Sequence, residues 1–119
     1  ALALAGAAHL IAAVSGEPVL PLAALHALTI GCLGSLMLAM VTRVSCGHSG
    51  RALVADNLVW ALFWLLQATA VLRVAAAVPG LRSQALLTAA ALLWAAVMLL
   101  WGTRHASWYG RPRSDGRPG

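Results

Sequence analysis

Apolar residues along the chain gather into four runs, at residues 1–14, 22–44, 52–78 and 83–101, separated by short breaks. The breaks read SGEP after the first run, GHSGR after the second and PG after the third, all turn-forming chemistry. Runs two to four match the roughly 20 residues that an α-helix needs to cross a hydrocarbon core. The first run is shorter. It opens without Met and without the basic leader of a signal peptide, so it is expected to be a truncated span of a longer protein. The pattern predicts an all-α fold, a polytopic transmembrane helix bundle of about four spans over residues 1–105. Residues 106–119 are expected to form a cytoplasmic basic tail with the composition of a disordered segment.

Composition reinforces that reading. The 119 residues are 61% hydrophobic and 9% charged, with a mean hydropathy of +0.85. A soluble domain of this size leaves too much surface exposed to hide so large an apolar fraction, so the lipid bilayer is the expected solvent. The formal charge of +5 sits at the ends of apolar runs and in the tail. A nucleic-acid face would need a continuous basic patch with polar readers, so no nucleic-acid partner is expected. Alternating spans put Arg43, Arg51, Arg104, Arg111, Arg113 and Arg117 on one side, with Glu17, Arg73 and Arg82 on the other. The excess of Arg assigns the first side, and the C-terminus, to the cytoplasm. Trp101, Trp108 and Tyr109 fall on that side as an interfacial belt would. Cys32 and Cys46 form no CxxC motif, and about 21 Å of helix rise separates them.

Several polar residues interrupt the apolar pattern. Ala23, Ala27, Gly31, Ser35 and Ala39 recur at every fourth position of the second run, a ridge of small residues against which another helix can pack closely. His26 borders the ridge and so faces protein, either as a buried, hydrogen-bonded imidazole or as a functional membrane histidine. His48 stands in the GHSGR turn, which serves as a plain interfacial turn or holds an anion or lipid headgroup. A straight helix places His26 and His48 about 33 Å apart, so one site cannot take both. In the third run Asp56, Trp60, Phe63 and Gln67 share a stripe, with Asp56 inside the membrane and Arg43, His48 or Arg51 as its expected partner. That stripe is either an ion pair locking two helices or a proton path. His9 is expected to be buried and hydrogen-bonded, with a haem axial ligand as the alternative, and His105, beside Arg104, to be solvated. No nucleotide loop, catalytic triad, paired carboxylates or closed metal-ligand spacing is written in the chain, and no catalytic residue is assigned.

HALTIG at residues 26–31, MVTRVSCGHSGR at 40–51 and the tail YGRPRSDGRPG at 109–119 resemble the NnrS family, whose pattern runs HALTxG, MTRxSLGHTGR and RPRxDGRPG. The resemblance implies the C-terminal part of a larger multi-pass protein of the bacterial inner membrane, with the preceding helices of the same protein as partners. It implies haem and copper as cofactors and a role in nitric oxide stress and denitrification. His26, Arg43, His48, Gly50 and Arg51 occupy the motif positions. With the family in view, His26 and His48 are the candidate cofactor- and metal-binding residues, supported by Arg43, Gly50, Arg51 and Asp56. Cys46 stands where the family pattern carries an apolar residue, and it adds a soft donor suited to copper. Two other classes stay open: a transporter or permease for a small molecule or metal, with the Asp56 stripe lining its path, and a structural anchor for the rest of the protein.

Overall fold

The computed structural model describes residues 2–16, 20–78, 80–81 and 83–117. Its helices are α1 (Leu2–Ser15), α2 (Leu20–His26), a π-helical segment (Ala27–Gly34), α3 (Ser35–His48), α4 (Asn57–Ala75) and α5 (Gln84–Ala106). No strand occurs among the described residues. The second apolar run becomes one unbroken rod, and Pro21–His48, Asn57–Ala75 and Gln84–Ala106 are each long and apolar enough to cross a membrane. The all-α, membrane-type bundle predicted from the apolar runs is the architecture observed. α1, at 14 residues, rises about 21 Å and is by itself shorter than a span.

α4 is the centre of the bundle. It packs along α5 on one side and against α2, the π segment and α3 on the other, while α1 lies against α2 and the π segment. Leu38, Val59, Leu62, Leu66 and Val97 form the buried core. Outward faces are just as apolar: Trp64 is 64% exposed, Leu92 67% and Leu99 66%. A helix that is apolar all round, with most of that surface uncovered, is built for lipid contact. The small-residue ridge faces inward over most of its length, with Ala23, Ala27 and Gly31 buried and Ser35 half-buried, but Ala39 is exposed. The wider turn of the π segment, which bonds i to i+5, breaks the four-residue register, so the ridge drifts off the interface before Ala39.

Helix ends depart from the limits of the apolar runs where polar chemistry intervenes. Residues 51–56 lie outside any helix, and α4 starts at Asn57. Asp56 is its N-cap, with extended backbone, and its Oδ1 accepts the Val59 N–H at 3.0 Å. The carboxylate expected within the membrane is therefore exposed at the helix entrance, where it satisfies an otherwise orphaned donor. Ser83 plays the same part for α5, accepting the Leu86 N–H at 3.2 Å. α3 ends in a Schellman motif. Gly50 turns at φ 68°, its N–H donates to the Gly47 carbonyl at 3.3 Å, and the Arg51 N–H reaches the Cys46 carbonyl at 2.9 Å.

The tail is folded, contrary to its composition. After α5 it turns back along the end of α3, where the Ser114 N–H donates to the Ser49 carbonyl at 3.0 Å. The Ser114 hydroxyl reaches the Gly50 carbonyl at 2.7 Å, and Arg113 Nη1 donates to the His48 carbonyl at 3.3 Å. These three carbonyls are the ones that the end of α3 leaves without helical partners. The tail holds its shape because it fills that vacancy.

Candidate functional site

Two groups of polar side chains stand out, one at the tail end of the bundle and one around His26. At the tail end, Arg104 of α5 forms a two-pronged ion pair with Asp56: Nη1 donates to Oδ1 at 3.1 Å, and Nη2 donates to Oδ2. The partner of Asp56 is thus Arg104, not Arg43, His48 or Arg51. The guanidinium bonding first, and the Val59 N–H second, hold the Asp56 carboxyl below its ordinary value of 3.8. Arg51 lies instead with its guanidinium 4.4 Å from the centre of the Trp108 ring. Arg43 is exposed on α3.

His105 is buried in this cluster at 2% exposure, the reverse of the solvated residue expected from its arginine neighbour. Its ring stacks on Trp101 at 4.7 Å and leans against Trp108 at 4.6 Å. Trp101 in turn donates its indole N–H to Thr42 Oγ1 at 2.9 Å, and the Tyr109 hydroxyl meets Ser45 Oγ at 2.9 Å. The aromatic residues expected as an interfacial belt are therefore partly spent on tying α5 and the tail to α3. Nδ1 of His105 bonds the Trp101 carbonyl at 2.8 Å, while its buried Nε2 has no partner among the described residues. The spacing Trp101, His105, Trp108 follows one helical face, and that was the sequence signal for the stack.

His26 lies at the far end of the same rod as His48, on the last turn of α2 where the π segment begins. Its Nδ1 is 2.6 Å from the Leu22 carbonyl oxygen. A carbonyl only accepts, so Nδ1 carries the proton, and in the neutral ring the Nε2 lone pair is free to ligate. Metal-binding imidazoles are commonly oriented by this kind of backbone contact. π-Helical turns are rare and recur at functional sites. A third polar link lies between His26 and the tail end, where Gln67 Nε2 donates to Ser35 Oγ at 2.6 Å and Ser35 donates on to the Gly31 carbonyl at 2.5 Å. Both ends of the Asp56–Gln67 stripe are thus committed to bonds between helices.

The sequence-predicted donors do not converge. Cys46 is buried and His48 exposed, and two positions apart on a helix they face different ways. His9 is exposed on α1 rather than buried. Among the described residues no three His, Cys, Asp or Glu side chains meet as a metal site. An apolar groove of about 850 Å³ runs between the rod and α5, with Arg73 and Thr29 in its wall, and neither His nor Cys lines it. The candidate donors among the described residues therefore stand singly, each able to offer one imidazole or thiolate at most. They do not form a closed copper cage.

The family model described as NnrS protein matches residues 1–113 of the chain. No curated protein and no solved structure matches it.

Proposed function

Because the chain belongs to the NnrS family, we propose that it is the part of a bacterial inner-membrane protein of the nitric oxide response that offers a haem-binding imidazole from His26. The observation that supports this most is the His26 ring itself, whose Nδ1–H is engaged by the Leu22 carbonyl at 2.6 Å. That contact fixes the tautomer and points the basic nitrogen away from its own helix turn. Haem, if bound there, would be held by the His26 imidazole and would supply an iron able to take a diatomic ligand or pass electrons. The chain's own part is to orient the half-buried imidazole through the Leu22 carbonyl at the point where the π segment begins.

The other candidate donors are His48, for haem or copper, and Cys46, for copper. Copper binding by this chain would need donors beyond the pair, since Cys46 is buried on one face of α3 and His48 lies exposed on another. Gly50, Arg51 and Asp56 act on the architecture of the tail end: Gly50 ends α3, Arg51 covers Trp108, and Asp56 caps α4 and holds Arg104, while Arg43 is exposed on α3. The Arg-rich end is assigned to the cytoplasm, the side on which basic residues accumulate. The test is the haem content of the purified protein, read as a Soret band, in the wild type and in His26→Ala and His48→Ala variants. Loss of the band with His26→Ala and its retention with His48→Ala is the expected result. A colourless wild type, or a band insensitive to His26, contradicts the reading.

A further inference from the structure

A cleft of about 440 Å³ opens where the folded tail meets the end of α3, and its wall includes His48, Ser49, Tyr109, Arg111, Arg113 and Arg117. Arg113 is already neutralised, with Nη2 at 2.7 Å from Asp115. Arg111 and Arg117 form no ion pair among the described residues. Two uncompensated guanidiniums in one concavity repel each other, and the local field favours an anion between them. Guanidinium forks match phosphate oxygens in particular, two N–H donors to two oxygens. The cleft is also built in advance, because Ser114 and Arg113 are tied to the carbonyls of residues 48–50, so little ordering cost remains to be met on binding.

Its depth narrows the source of the phosphate. The tail leaves α5 at Ala106, the last residue of a helix long enough to span the bilayer, so the cleft lies at headgroup level. Trp108, an interfacial type of side chain, is part of its wall. We propose that this cleft binds the phosphate of an anionic phospholipid, with Arg111 and Arg117 as the charged contacts and Ser49 and Tyr109 offering hydroxyls. This site is independent of His26 and of any haem.

Phosphatidylglycerol binding to the protein in phosphatidylcholine vesicles tests it, with bound lipid counted by native mass spectrometry. Arg111→Gln and Arg117→Gln should each weaken binding about five-fold, and the pair about thirty-fold. The paired Lys variant should keep part of the affinity, since it keeps the charge but not the fork. Protection of the Ser114 amide from hydrogen exchange reports that the tail remains folded in every variant. Wild-type affinity in the paired Gln variant, with Ser114 still protected, overturns the site. Displacement of the lipid by inorganic phosphate overturns the lipid as its natural occupant, whereas resistance to phosphate supports it.

Discussion

Asp56 and Arg104 join the start of α4 to the end of α5 through two parallel hydrogen bonds, and the same Asp56 carboxylate caps α4 through Val59. One side chain therefore does two jobs that substitution can separate. Asp56→Asn keeps a capping oxygen and loses the charge, and should cost less than about 1 kcal/mol, as exposed ion pairs do. Asp56→Ala loses both functions and should cost about 1 kcal/mol more, the usual value of a cap. Thermal unfolding in detergent measures both. The pH dependence follows from the depressed carboxyl. Its contribution is fully present above the ordinary value of 3.8 and disappears as pH falls through the lower folded value. Asp56→Asn should remove that acid-dependent part.

Gly50 has two reasons to be glycine. Its φ of 68° is the conformation that ends α3, and a Cβ there would fall 2.7 Å from the Asp115 carboxyl carbon. Gly50→Ala should cost roughly 1–2 kcal/mol from the left-handed backbone alone, and the clash should also lift the tail. Faster tryptic cleavage after Arg113, with the helices intact by circular dichroism, is the expected signature. Acid acts on the tail as well. Asp115 is lowered to about 2 by its hydrogen bond with Arg113, so the contribution of that pair to the tail is fully present above the ordinary carboxylate value and fades as pH falls toward 2, which should loosen the tail.

The Gln67–Ser35–Gly31 chain should respond unequally to deletion from its two sides. Gln67→Leu leaves the Ser35 hydroxyl still bonded to Gly31, so the cost should be near the ~0.6 kcal/mol average for hydrogen bonds between membrane helices. Ser35→Ala leaves the Gln67 amide without its acceptor and should cost more, up to about 2 kcal/mol. A double-mutant cycle on detergent-solubilised protein measures the difference. Equal costs would mean that Gln67 finds another partner.

His105 is held by shape more than by polarity. His105→Phe removes the orphaned Nε2 and the Nδ1 bond to the Trp101 carbonyl while keeping a flat ring between Trp101 and Trp108, so the two effects offset and stability should change by less than about 1 kcal/mol. His105→Ala should cost about 2–4 kcal/mol through the cavity left between the two indoles. Loss of haem in His105→Phe with stability intact would instead make this ring a ligand.

The helices were legible because apolar runs of membrane length leave few alternatives, and the inward part of the small-residue ridge was readable from its spacing. The π segment was not, since no residue preference marks a change from i+4 to i+5 bonding. The pairing of Asp56 is not legible in the sequence for a tertiary reason: its partner Arg104 lies 48 positions away, well beyond the nearest basic residues. His105 was misread from its neighbour Arg104, although the tryptophans one turn before and after carried the right signal. The tail looked disordered because its order comes from the exposed carbonyls at the end of α3, which composition does not describe. Of the site, the separation of His26 from His48 followed from helix rise alone. The contact between His26 and Leu22 also lay within reach, since a histidine and a carbonyl one turn back are neighbours in any helix.

The measurement that tests the central claim most directly is haem stoichiometry of the purified protein, wild type against His26→Ala, at matched helical content. One haem-derived Soret band in the wild type and none in the variant is the result expected from an oriented, ligating imidazole. An equal band in both proteins would place the cofactor elsewhere and leave His26 as a helix residue bonded to its own backbone.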